Sequence, residues 1–401
     1  MKSVTQNKLL LFGAGKIGRS FIGQLFSCGG YEVVFVDVFP QVIDELNIRR
    51  NYNVVIKGED DRTMNIQNVR GILASETQKV MDEIATARII AVSVGLNGLK
   101  AIIPTIAKGL LLRFKNTEAL PLDIIIAENL RDAAEFMDKE LRKHLPKWYP
   151  LEERVGLIET SIGKMVPIMQ KKDTDADILQ VFAESYNTLI LDKLAFKNPI
   201  PEIEGLAPKE NMKAWVDRKL FIHNLGHATT AYLGHISYPE STFLYEVLSD
   251  WQIFNEVRNT MLQAADILLK KYPDEFTIEA LTEHIDDLLK RFQNISLGDT
   301  IFRVGCDLQR KLSSDDRLAG AIHLARELKL PYHLILKALV CGCHFRATDE
   351  QGKRFPSDME FDKKYELGIS NVLKIICGFN EICDQTVLVN AEYLEKELKM
   401  Q

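Results

Sequence analysis

Cysteine is scarce in this chain and poorly spaced for metal, with six in 401 residues. Cys28, Cys306, Cys341, Cys343, Cys377 and Cys383 include no CxxC pair. Cys341-x-Cys343-His344 lacks a second half at zinc-finger spacing. The expectation is reduced thiols without a metal, as in cytosolic proteins. Long apolar runs are also missing; none approaches the ~18 residues needed to span a bilayer. Met1 to Lys8 leads directly towards a strand with no signal-peptide core, so the expected location is cytoplasmic. Basic excess is absent too: 50 Lys and Arg face 56 Asp and Glu, a net charge of -6. That balance argues against nucleic acid or an anionic membrane as the main partner. No internal repeat or low-complexity segment is visible.

What is present suits a soluble two-domain protein. The length fits two domains, and 46% hydrophobic residues suffice for substantial cores. Lys8-Leu-Leu-Leu-Phe12 reads as a buried strand running into Gly13-Ala-Gly15-Lys-Ile-Gly18. A helix-like stretch, Arg19 to Phe26, follows, and then a second strand, Glu32 to Asp37. This is the context in which a G-x-G-x-x-G turn acquires meaning. Gly13 permits the tight turn, Gly15 the approach of a pyrophosphate, and Gly18 close helix–strand packing. Gly13, Ala14, Gly15, Ile17 and Gly18 are therefore candidate cofactor contacts. Asp37 lies where a carboxylate accepts the adenosine ribose hydroxyls and would repel a 2′-phosphate. Val38-Phe39-Pro40 offers no arginine for such a phosphate, so NAD is expected rather than NADP.

The alternation continues with Ala87–Val94, Asp123–Asn129 and Val155–Glu159 as strands between helical stretches. It predicts an α/β, Rossmann-type, mostly parallel sheet. Gly95-Leu-Asn97-Gly98 reads as a loop bordering the nicotinamide ribose, and Tyr52–Lys57 as an added strand or hairpin. Asn129, at a strand end, is either a crevice residue or a turn-capping asparagine. Lys197–Gly205, rich in proline, is the expected boundary between a domain over 1–200 and a mainly α-helical domain over 201–401. Helices are expected at Trp215–Leu233, Glu246–Lys271, Phe276–Phe292, Arg317–Leu328, Leu334–Leu339, Asp362–Cys377 and Val387–Lys399.

Within the first of these helices, Lys219, Asn224 and His227 fall inside an arc of roughly 140° at about 100° per residue. A neutral amine, an amide and an imidazole on one face suit chemistry at a carbonyl or alcohol oxygen. Each also has a plainer reading: a lysine snorkelling to water, a satisfied amide, a core histidine. His223 and His235 read as core. A second polar run carries Arg303, Arg310, Lys311 and Arg317, with His344-Phe-Arg346 as a weaker echo. It is either an anion clamp or a solvated loop with its own Asp–Arg pairs.

Several of these stretches together resemble the polyol-specific long-chain dehydrogenases. They are Phe12–Gly23, Ala127-Glu-Asn129, Arg218–Ala228, Thr230–Gly234, Arg310–Ser313 and Asp316-Arg317-Leu318, spread from Leu10 to about Arg346. The resemblance implies zinc-independent hydride transfer between NAD(H) and a polyol or ketose. It makes Lys219 the acid/base, Asn224 and Asn129 donors to the reacting oxygen, and His227 an orienting group. The arginine-rich run is characteristic of phosphate-handling members. It implies a sugar-alcohol phosphate and ketose phosphate pair, mannitol 1-phosphate and fructose 6-phosphate. A hexuronate reductase of the tagaturonate/fructuronate type, and a non-catalytic NAD sensor, are the alternatives. Family members are often monomeric, and no interface stripe stands out here. One departure is clear: where the family commonly has an acidic residue followed by arginine, this chain has Gly163-Lys164.

Overall fold

The computed structural model describes residues 7–58, 60–116 and 120–400; the Met1–Gln6 stretch read above lies outside them. The chain divides into two compact units, Met1–Val216 and Asp217–Gln401.

Among the described residues the first unit carries eleven strands: β1 (Lys8–Phe12), β2 (Glu32–Asp37), β3 (Asn51–Ile56), β4 (Arg62–Gln67), β5 (Val69–Leu73), β6 (Ile89–Val92), β7 (Leu122–Ile126), β8 (Val155–Ile162), β9 (Val181–Ala183), β10 (Leu189–Asp192) and β11 (Leu206–Lys209). Eight form one sheet in the order β11-β10-β8-β7-β6-β1-β2-β5. From β5 to β8 every pairing is parallel, and β10 then runs antiparallel to β8. Strand order reverses at β1, with β2 on one side and β6 on the other, which opens a crevice at the carboxyl ends of those strands. Apolar residues on successive positions make this possible. Leu9 and Leu11 pack into one layer, while Leu10 and Phe12 pack into the opposite one. Each such leucine, fully buried, contributes about 1.5–3 kcal/mol. Tyr52–Lys57 does lie outside this sheet, pairing as β3 with β4 and β9.

Gly95–Gly98 is not a loop. Gly95, at φ +73°, opens a helix that continues to Asn116. The glycine turns the chain, and the apolar side chains beyond it (Leu99, Ile103, Ile106) are already on the core-facing side of that helix.

The second unit is helical. Leu225–Ser237 lies at its centre, packed by the Trp251–Lys271, Ile301–Gly305 and His333–Cys343 helices. Trp251–Lys271 buries Ile253, Val257, Met261, Ala264 and Leu268 at helical spacing, and Asp250 caps it by accepting from the Gln252 and Ile253 amides. The expected helix at Asp362–Cys377 is two, Pro356–Tyr365 and Ile369–Ile375, separated at Gly368 with φ +94°. The expected Trp215–Leu233 helix is also divided, into Met212–Arg218, a π-helical turn over Lys219–Asn224, and Leu225–Ser237. Among the described residues no helix is long and apolar enough to cross a membrane.

Candidate active site

In the first unit the glycine turn is stitched between its neighbours. The Gly13 amide donates to the Val36 carbonyl and the Ser93 amide to the Phe12 carbonyl, both at 2.8 Å. Gly13 has φ +100°, and a Cβ there would lie 2.1 Å from the Ser93 oxygen; at Gly18 it would lie 2.0 Å from the Gly13 oxygen. Gly15 differs, because a Cβ on it would meet nothing within 4 Å. Gly13 and Gly18 are thus dictated by the protein's own packing. The open side of Gly15 suits a ligand that comes close to the backbone.

Asp37 Oδ2 accepts the Ala14 amide at 2.6 Å, and Oδ1 accepts the Val38 amide at 2.7 Å and the Phe39 amide at 3.2 Å. Beside it Val38 and Phe39 are 70% and 62% exposed, an apolar rim next to a carboxylate that fits an adenosine. The residues present therefore suit a dinucleotide. Ile17, partly buried, packs against the core under the turn. Glu128 was not singled out from the sequence, yet its Oε1 accepts the Val94 and Gly95 amides at 2.6 and 2.9 Å. Burial raises its pKa. Asn129 follows at an exposed position beyond β7.

In the second unit the π winding brings Lys219, Asn224 and His227 closer in angle than an α-helix would. A π turn closes i→i+5 bonds and advances roughly 80° per residue rather than about 100°. By that count Lys219, Asn224 and His227 share an arc of roughly 60°, narrower than an α-helix gives. Exposure follows the same face: from Phe221 to Gly234 every residue is buried except Asn224 and His227, which are partly exposed. Burial, helped by the Arg317 charge, lowers the Lys219 pKa to about 8. His227 stacks on Phe292, with centroids 4.7 Å apart and an interplanar angle of 11°. Its Nε2 lies 3.0 Å from Oδ2 of Asp299, a buried residue that sequence reading missed. Burial and the cations Arg303, Lys311, Arg317 and Arg291 hold the His227 pKa well below its usual value.

The arginine-rich run is used unevenly. Arg303 pairs with Asp299, and Arg310 with Asp307 at 2.5 Å and Asp316 at 3.5 Å. Arg346 pairs with Asp362 at 3.2 Å and donates to the Cys343 and Phe345 carbonyls. Arg317 bonds Asp316 and also reaches the Asn224 carbonyl at 3.4 Å, joining this run to the π turn. Lys311 is buried, donates to the Val304 carbonyl at 2.6 Å, and has its pKa lowered to about 8 by burial and by Arg317. At the departure noted above, Lys164 donates to Asn187 Oδ1 at 2.8 Å, and a Cβ on Gly163 would sit 3.5 Å from Tyr186. His235 Nε2 accepts the Arg346 amide at 3.1 Å. The six cysteines are free thiols.

A doubly wound sheet with this glycine turn, and a helical unit with a lysine–amide–imidazole face, define a dehydrogenase of the Rossmann type. The chain belongs to the mannitol dehydrogenase family: residues 7–205 match the mannitol dehydrogenase Rossmann domain and residues 211–392 the mannitol dehydrogenase C-terminal domain. Two solved structures share the fold over nearly the whole length. A D-sorbitol dehydrogenase in substrate-free form is 16% identical with TM-score 0.81, covering 99% of this chain and 93% of its own. The Pseudomonas fluorescens mannitol 2-dehydrogenase, solved with NAD and D-mannitol, is 15% identical with TM-score 0.72, covering 98% and 92%. The chain is thus a polyol dehydrogenase by family.

Proposed function

We propose that the protein is an NAD-dependent, lysine-assisted dehydrogenase interconverting mannitol 1-phosphate and fructose 6-phosphate. The observation that carries the reaction is the π-wound face of Lys219, Asn224 and His227, with the Lys219 pKa lowered to about 8. A lysine near neutrality is matched to proton transfer. Neutral Lys219 takes the hydroxyl proton during alcohol oxidation, and its ammonium returns one during ketone reduction. Asn224 donates to the reacting oxygen as alkoxide character develops. Asn129 is assigned the same role, and His227 orients a substrate hydroxyl. Gly13, Ala14, Gly15, Ile17, Gly18, Asp37 and Gly95 would hold NAD, which supplies the hydride acceptor when bound. The carboxylate of Asp37 favours NAD over NADP.

For the phosphate, Lys311 and Arg317 are the better-supported cations, because both are buried. Arg303, Arg310, Arg317 and Arg346 each have a carboxylate partner. That pairing also favours a second reading, an unphosphorylated polyol as substrate. NADH consumption with fructose 6-phosphate, free fructose and tagaturonate separates the readings. Turnover of fructose 6-phosphate alone is expected. Turnover of free fructose alone would select the second reading, and turnover of tagaturonate alone a hexuronate reductase.

A further inference from the structure

We propose that Asp299 is a positioning residue that fixes His227 in the Nε2–H tautomer, so that Nδ1 accepts a hydrogen bond from a substrate hydroxyl. The inference rests on the reading that His227 meets the substrate.

Asp299 is 4% exposed, and both of its oxygens are engaged: Oδ1 by the Arg303 guanidinium and Oδ2 by His227 Nε2 at 3.0 Å. A carboxylate beside an arginine stays ionised, and an ionised carboxylate only accepts. The proton in the Asp299–His227 bond therefore belongs to Nε2. Arg291, Arg303, Lys311 and Arg317 surround the imidazole electrostatically and oppose a second proton. In a neutral ring protonated at Nε2, Nδ1 carries the lone pair. The ring then offers an acceptor and no second donor, which selects a substrate group carrying a proton, an alcohol hydroxyl, over a carbonyl or carboxylate oxygen at that position.

The fold holds Asp299 firmly in place. Its carbonyl accepts the Leu244 amide at 3.0 Å, the Ile301 amide donates to the Thr242 carbonyl at 2.8 Å, and Thr300 bridges to Phe243. Thr300 Oγ1 caps the Ile301–Gly305 helix by accepting the Arg303 amide at 3.1 Å, which sets Arg303 one turn beyond Asp299. On the other side, Phe292 stacks on the imidazole and restricts its rotation. The ring thus has its plane set by Phe292 and its proton set by Asp299.

The test is 15N-histidine NMR of the full-length protein, paired with kinetics on the ketose that wild type reduces, fructose 6-phosphate or free fructose. Wild type is expected to show His227 neutral with its proton on Nε2. Asp299→Asn, nearly isosteric, presents both a donor and an acceptor and should lose the single tautomer. Its kcat/KM should fall about 10- to 100-fold, by analogy with the loss of partners that orient metal-bound histidines, while NADH affinity stays unchanged. A wild-type ring protonated on Nδ1, or charged at neutral pH, would overturn the proposal. So would an Asp299→Asn protein with unaltered tautomer and unaltered kcat/KM. If His227→Gln leaves kcat/KM intact while the wild-type spectrum shows Nε2–H, the substrate role of His227 fails and the tautomer assignment survives it.

Discussion

At the scale of single residues, the proposed chemistry turns on Lys219, a lysine whose burial makes it give up its proton more readily than a surface lysine. With the Lys219 pKa near 8, the neutral amine is scarce below pH 7 and dominant above pH 9. On the proposed mechanism oxidation needs the amine, so its kcat should rise with pH through about 8; reduction needs the ammonium, so its kcat should fall over the same interval. Opposite limbs in the two directions would be diagnostic, and parallel limbs would assign the titration elsewhere. Lys219→Ala should lose about 10²–10⁴ in kcat while still quenching or enhancing NADH fluorescence on binding. Asp37→Asn keeps an acceptor for the Val38 amide but removes the charge. It should weaken NADH by about 1.5–3 kcal/mol without a matching loss for the ketose. Equal losses for both ligands would detach Asp37 from the ribose. Asp37 could be picked out in sequence because its partners lie one strand away in a recurrent motif. Asp299 could not, since only the folded chain brings it to His227 from the far side of three helices.

Among the elements, the two π-helical turns of the described residues stand where the two proposed sites do, Gly18–Gly23 after the glycine turn and Lys219–Asn224 under the lysine face. An apolar pattern read at helical spacing shows that a helix is present but not whether it winds α or π. Strands β1, β2, β6, β7 and the start of β8 were legible for the opposite reason: each lies in a run rich in Val, Ile and Leu between helical stretches, a pattern with few other uses. Strands β9, β10 and β11, of three or four residues each, have no such alternation of helices around them to mark them. Deleting Ile222 should return the segment to α winding, and seven steps of about 100° leave Lys219 at the same angle to His227 as five steps of about 80° and three of about 100°. Far-UV circular dichroism, NADH binding and turnover should therefore all persist. Loss of turnover with NADH binding intact would show that the local π geometry, and not only the shared face, has a catalytic part.

For the whole molecule, the division into two compact units predicts calorimetry that is not two-state. NADH at 100-fold excess over its Kd should stabilise the first unit by about 2.7 kcal/mol. In a thermal scan one transition should move upward, and that movement should shrink in Asp37→Asn. A scan in which both transitions rise together would contradict an NADH site confined to the first unit. The division into a sheet-rich half and a helical half was legible because strand signals thin out after Gly205. Where the sheet ends was not, since β11 lies beyond that glycine.

The pairing of β3 with β9 has a consequence for how the chain is made. Val54 joins Val181 in parallel register, so the small sheet cannot close until Ala183 has left the ribosome. Until then the β3 edge is an open row of amides and carbonyls beside β4. Vectorial synthesis therefore leaves an unpaired edge waiting on a distant strand, a period in which nascent chains can pair with one another. Slower translation between Ile56 and Val181 should lengthen that exposure and lower the soluble yield, with the specific activity of the recovered protein unchanged.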